Sequence, residues 1–253
     1  MDLDPGLADL RPLGGFFVLR TVPDPAGAAG APDPGRLPTL AEAYERVPPD
    51  AQRDALTARV AVVADRLRTA EQRVAASIAQ QGLAARLWSA ALGCAVLYGR
   101  VPDLDPRLLR FDPLASAPDD LWLTGPRPLP GDAATVAGIV LHGHLEPLGE
   151  ALMARYGSAP GLLWGNAGSA LAGAARELDR WARAHGRTDA AGRARALTDE
   201  LFAHPLLRTT GIRTGTAFRR RSCCLYYRVP GGGVCGDCCF LRPPRSSPGA
   251  ASG

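Results

Sequence analysis

Arg219-Arg220-Arg221-Ser222-Cys223-Cys224-Leu225-Tyr226-Tyr227-Arg228-Val229-Pro230-Gly231-Gly232-Gly233-Val234-Cys235-Gly236-Asp237-Cys238-Cys239-Phe240 holds five of the six cysteines in a chain of 253 residues, and Cys94 is the other. A Cys-Cys pair, ten residues and a Cys-x-x-Cys supply four thiolates from two short clusters. Pro230 and the glycines after it allow the connecting loop to fold back, because glycine accepts backbone angles closed to other residues. This donor set suits a four-sulfur metal site.

Three readings of these cysteines compete. Disulfides need an oxidising compartment, and the first residues lack the charged and apolar regions of a secretory signal. A structural zinc site draws on two hooks, each a pair of cysteines a few residues apart; here one hook is an adjacent pair. Neighbouring side chains of an extended strand point to opposite faces. Both sulfurs serve one small centre only if the backbone turns, or if the centre is larger than one ion. A two-iron cluster is such a centre, with two thiolate positions on each iron. Spacing alone leaves zinc and iron–sulfur open.

The run Cys223-Cys224-x10-Cys235-x2-Cys238, with its Leu-Tyr-Tyr-Arg-Val-Pro-Gly-Gly-Gly flank, resembles the C-terminal signature of the FhuF-like ferric-siderophore reductases. Elsewhere the similarity is one of helical layout, including Leu163-Trp164-Gly165-Asn166. The resemblance implies a [2Fe-2S] cluster held by Cys223, Cys224, Cys235 and Cys238, with Cys239 outside the pattern. It also implies a body that binds a ferric siderophore of the hydroxamate kind and a ferredoxin or flavoprotein as electron donor. Arg219, Arg220, Arg221 and Asn166 are candidates for docking substrate or partner. The alternatives are a helical binding protein with a four-cysteine zinc clip, or a non-reductase role in siderophore assembly.

The rest of the chain reads as mainly α. Residues 1–207 are expected to form the helical siderophore-binding body, residues 208–240 the cluster segment, and residues 241–253 a disordered tail without apolar periodicity. Residues 14–19 are apolar and suit a short strand or a buried helical turn. A helix is predicted over 40–47, and Asp50 is placed to cap the next. Leu56, Val60, Val63 and Leu67 recur at helical intervals. Thr69-x-x-Gln72 resembles a capping box ahead of a second helix, although one continuous helix fits equally. Gly82 is expected to punctuate before the apolar segment that carries Cys94, a small core residue. Arg73, Ser77 and Arg86 are read as solvated or capping, with a substrate pocket as the alternative.

Residues 101–131 are proline-rich and irregular, with short strands possible at 108–111 and 121–123. Helices resume after Asp132. His142 and His144 fall on a helix, where residues two apart diverge by about 200° and do not share a metal. Pro147 begins the helix to Tyr156. A small-residue helix spans 167–185, with Asn166 as a possible cap, and a last helix spans 190–203. No phosphate loop, dinucleotide fingerprint or Ser-His-Asp pattern appears. The net charge of +4 is too small to argue for nucleic acid, and no apolar run is long enough to span a bilayer. A cytoplasmic location is expected.

Overall fold

The computed structural model describes residues 7, 10–22, 34–45, 54–115 and 121–244. It is mainly helical, as expected. The helices are α1 (Leu40–Ala43), α2 (Ala55–Leu67), α3 (Gln72–Tyr98), α4 (Ala133–Ala137), α5 (Glu146–Tyr156), α6 (Pro160–Ala184) and α7 (Thr188–Ala203), with a π-helical stretch at Gly138–Leu145.

Local chemistry explains most boundaries. Thr39 and Glu42 form a capping box at α1, which is shorter than predicted; residues 46–50, including Asp50, lie outside the described residues. Asp54 caps α2 instead, its carboxylate accepting from the Leu56 and Thr57 amides at 3.1 Å. Two helices follow rather than one, because Arg68 adopts a left-handed φ of 49° and breaks the run. The capping box at Thr69 does not form. The Thr69 hydroxyl accepts from the Glu71 amide at 3.2 Å, and Glu71 occupies the cap position without a side-chain bond.

Gly82 does not punctuate. It lies inside α3, a helix of 27 residues that is roughly 40 Å long. The second half of α3 is apolar on nearly every side, with Leu87, Trp88, Leu92, Cys94 and Val96 buried. A helix so covered is the centre of the bundle, and α2, α6 and α7 pack around it. Neighbouring contacts hold a helix together across a central glycine that costs about 1 kcal/mol in isolation. Burial pushes the Cys94 thiol up to about 12, as befits a core residue.

Three small sheets edge the bundle. β1 (Arg20–Val22) runs parallel to β4 (Leu121–Thr124), which pairs antiparallel with β3 (Leu109–Phe111). β2 (Arg100–Pro102) pairs with β5 (Pro128–Pro130), and β6 (Gly211–Thr214) forms a hairpin with β7 (Ala217–Arg220). The apolar residues 14–19 make a 3-10 turn at Gly15–Phe17 that buries Phe17, and the strand begins after them. Asp132 caps α4 as its position suggests. The two histidines part company: His142 is exposed and pairs with Glu146 at 2.6 Å. His144 is buried between the Tyr44 hydroxyl at 2.8 Å and the Leu104 carbonyl at 2.6 Å. Burial holds its pKa down at about 4. No helix among the described residues is long and apolar enough to cross a membrane.

Candidate metal centre

The small residues of α6 decide where the cysteines sit. A methyl group on Gly165 would overlap the Ser222 hydroxyl, and one on Gly168 would overlap Thr210 and sit 3.2 Å from the Phe218 ring. Bare backbone on α6 thus lets the β6–β7 hairpin lie directly on the helix. Phe218 is buried there and packs at a tilt against Phe202 of α7, ring centroids 5.4 Å apart. Gly168→Ala is expected to cost about 1–3 kcal/mol by overpacking and to loosen the hairpin. Thermal unfolding should show the loss, and hydrogen exchange of residues 211–220 should rise more than that of α3.

Beyond the hairpin the backbone turns, as an adjacent cysteine pair requires for a single centre. Leu225 adopts a left-handed φ of 68° immediately after Cys224, and a 3-10 turn covers Tyr226–Arg228. Gly231 has φ of 72°, open to glycine at little cost. A Cβ on Gly232 would lie 2.8 Å from the Val229 carbonyl, so the fold-back of the loop depends on that glycine too. The second cysteine cluster returns against the hairpin: the Arg220 amide donates to the Asp237 carbonyl at 2.9 Å, and the Cys238 amide to the Cys235 carbonyl at 3.1 Å.

The sulfurs fall into two neighbouring groups. Cys224, 2 % exposed, shares a hydrogen bond with Cys235. Cys223 is close enough to Cys238 and Cys239 to feel their charge, and Cys238 and Cys239 are hydrogen-bonded to each other. All the cysteines are free thiols. Among the described residues, no three histidine, cysteine or acidic side chains already converge as a site for one ion.

Backbone amides address the sulfurs with a regular offset. Leu225 donates to Cys223 at 3.2 Å and Phe240 to Cys238 at 3.4 Å. The Tyr226 amide acts to lower the Cys224 pKa and the Asp237 amide that of Cys235. In each case the amide lies two residues after the cysteine. Cys239 has only its own amide. The Cys235 hydrogen bond lowers the Cys224 pKa to about 7, with help from the Tyr226 amide and the Arg220 charge and against the effect of burial. The same bond, with burial, raises Cys235. Burial raises Cys223 and Cys239.

Arg220 is 2 % exposed beneath this group. One of its terminal nitrogens donates to the Asn166 carboxamide oxygen and to the Leu162 carbonyl, while Nε and Nη1 are buried with no hydrogen-bond partner. Its charge acts on Cys223, Cys224, Cys235 and Cys239. Asn166 is not a cap. It lies buried inside α6, and its amide donates to the Ser77 carbonyl at 2.9 Å and the Ser77 hydroxyl at 3.1 Å. The Ser77 hydroxyl in turn donates to the Cys224 carbonyl at 2.8 Å. The solvated reading of Ser77 therefore fails, because this residue joins α3 to the cysteine loop. Arg86 is buried as well, in the wall of an apolar cavity of about 280 Å³ between α2 and α3; Arg73 is exposed.

A second anchor holds the Cys235 side. Asp237 is buried, accepts from the Ser169 hydroxyl at 2.6 Å and pairs with Arg176 at 3.0 Å. No isolated sequence signal marks Asp237, Ser169 or Arg176; they are separated along the chain and meet only because α6 underlies the loop.

Five free cysteines in two groups, with amides near their sulfurs and a buried guanidinium with unused donors beneath them, fit an anionic iron–sulfur centre. Residues 220–240 match the family model for the FhuF 2Fe-2S C-terminal domain. The C-terminal segment is similar to the FhuF 2Fe-2S C-terminal domain. This is the family that the cysteine signature resembles. The match is confined to that FhuF-type segment, and no curated protein matches the chain.

Proposed function

We propose that this protein is a ferric-siderophore reductase. In this reading Cys223, Cys224, Cys235 and Cys238 hold a [2Fe-2S] cluster within residues 208–240, and the helical body at residues 1–207 binds the substrate. The observation that carries the reading is a cavity of about 380 Å³ between α3, α6 and the loop, whose wall includes Cys235. A carrier of electrons alone would need no such cavity beside its metal ligands. A cluster held by these cysteines would supply a one-electron couple able to convert Fe(III) chelated in the cavity to Fe(II), which hard oxygen donors hold less tightly.

The side chains of the cavity suit a neutral, oxygen-rich chelate. Phe16, Ala85, Ala170 and Ala174 offer apolar surface, while Gln81 and Ser89 offer hydrogen bonds to carbonyl and hydroxamate oxygens. Arg176 and Asp237 neutralise each other at its edge, and Glu177, the remaining charged residue of the wall, pairs with Arg180. Ser169 and Arg176 fix the Asp237 carboxylate, and that fixes Cys235 against the opening.

The test is anaerobic rapid mixing of the dithionite-reduced protein with a ferric tris-hydroxamate such as ferrioxamine B, with a ferrous chelator present. The visible spectrum of the oxidised protein should return as one Fe(II) is trapped for each electron delivered. Reoxidation by ferricyanide but by no ferric hydroxamate would leave an electron carrier and end the reductase reading. Replacing Ser89 by Phe should fill the cavity and slow the hydroxamate reaction while leaving the ferricyanide reaction intact.

A further inference from the structure

We propose that the apolar cavity between α2 and α3 receives an acyl arm of the ferric hydroxamate whose iron end lies against Cys235. The preferred substrate is then an amphiphilic hydroxamate; the inference rests on the reductase reading and names the substrate class of that site. Two cavities flank α3. The one of about 380 Å³ takes Gln81, Ala85 and Ser89 from the helix and has Cys235 in its wall. The one of about 280 Å³ takes Ile78, Gly82, Leu83 and Arg86. Gln81 and Gly82 are consecutive, as are Ala85 and Arg86, so adjoining faces of one stretch of α3 serve both cavities. Phe16 lines both as well. It is 46 % exposed, so the border that it forms reaches solvent. A chain lying over this one phenylalanine joins the two spaces.

The chemistry of the second cavity selects the arm. Leu40, Leu56, Val63 and Phe111 supply aliphatic and aromatic carbon to its wall. Two polar residues there are turned to protein partners. The Tyr44 hydroxyl is hydrogen-bonded to His144 at 2.8 Å. Arg59 donates to the Asp112 and Ala115 carbonyls at 2.6 and 3.0 Å and lies over the Phe111 ring at 5.1 Å. The surface left to a ligand is mostly carbon, which favours a hydrocarbon chain over a charged group. Protein interiors keep few voids larger than a water molecule, and apolar voids take up apolar molecules. Gly82 keeps the space open. A Cβ at this position would meet nothing within 4 Å, although glycine is a poor residue for the middle of a helix. A glycine that should interrupt α3 is thus explained by the cavity beside it. Each methylene buried there should tighten binding about fourfold.

The test uses the full-length, cluster-loaded protein and desferrioxamine B acylated on its free amine with acetyl, hexanoyl or decanoyl groups. Gallium(III) complexes accept no electron, so calorimetry with them reports binding alone, while the ferric complexes report reoxidation of the reduced protein. The Kd of the gallium complexes should fall about tenfold or more from acetyl to hexanoyl and level off once the cavity is full. Gly82→Leu puts a side chain into the cavity and should bring the ratio of acetyl to hexanoyl Kd close to one. Leucine is the better helix former, so the melting temperature of this variant should match or exceed that of the parent. Val63→Phe fills the same space from α2 and should act alike. A ratio near one in the parent protein would overturn the proposal. So would a gain from the longer arm that both variants leave intact, because the arm would then lie elsewhere. If the gallium series behaves as expected but no ferric complex reoxidises the protein, the reductase reading falls and the arm site stands. Reoxidation by all the ferric complexes, with affinities indifferent to the arm, would sink the arm site and leave the reductase.

Discussion

Serine in place of Cys223, Cys224, Cys235 or Cys238 is expected to reduce iron and acid-labile sulfide in the purified protein to near zero, while serine at Cys239 leaves both at parent level. A hydroxyl is a poor donor to iron where a thiolate is a good one. The separation of Cys238 from its neighbour follows from the backbone. Each proposed ligand has a favourable amide two residues downstream: Leu225 and Phe240 donate to the sulfurs of Cys223 and Cys238, and the Tyr226 and Asp237 amides favour the thiolates of Cys224 and Cys235. Such donors stabilise a thiolate, and they are placed before any metal arrives. Cys239 lacks one, and its own pKa is raised by burial and by Cys238 beside it. Iron, sulfide and the visible spectrum across the single variants check this. A full cluster in Cys238→Ser with an empty Cys239→Ser would reverse the assignment. Zinc in place of iron and sulfide in protein prepared without oxygen would support a structural clip instead.

Arg220→Gln is expected to lower the reduction potential of the centre by on the order of 100 mV, the equivalent of one unit charge at roughly 6 Å and an effective dielectric constant of about 20. A cluster with four thiolate ligands is anionic in both redox states, so a nearby cation favours the reduced form. Among the arginines of the segment, Arg220 alone is buried, and two of its donors are unused by the protein. Exposed Arg219 and Arg221 are screened by solvent, and their loss should move the potential far less. Glutamine keeps a donor for Asn166 but removes the charge, while Arg220→Lys keeps the charge and loses the fork. A spectroscopic redox titration of cluster-loaded protein should therefore rank the parent and Arg220→Lys above Arg220→Gln. If Arg220→Gln holds a full cluster at the parent potential, Arg220 serves only to pin the loop to α6. If neither variant retains cluster, Asn166→Ala separates the roles, because it removes the anchor and leaves the charge.

Much of this protein is written in short stretches of its sequence. The four-thiolate set, the loop that folds back between its halves and the helical intervals of α2 depend on residues within a few positions of one another. Asp132 capping α4 and Pro147 in the first turn of α5 are equally local, since a cap needs only its own first turn. The strands β3 and β4 fall on apolar runs between prolines that were open to either a short strand or simple packing against the helices. Other features depend on contacts between distant residues, and there local reading failed. Gly82 should end a helix by its own preference, yet the α3 helix continues through it because its neighbours bury the surrounding turns. Asn166 suits a cap, but the helix starts earlier at Pro160, where proline costs nothing. That leaves Asn166 in the interior, free to bridge Ser77 and Arg220. Three consecutive arginines read alike in sequence, and only the packing of β7 on α6 buries one and exposes the other two. Strand alternation puts Arg220 inward beside Phe218 and Arg219 outward, and the bare backbone at Gly165 and Gly168 brings that inward face onto the helix. The two cysteine clusters were thus legible in the sequence as a sulfur-rich centre, and the resemblance named four of them as ligands. The charge beneath them and the cavity beside Cys235 were decided by tertiary structure, because desolvation and enclosure come from residues that meet only when the chain has folded.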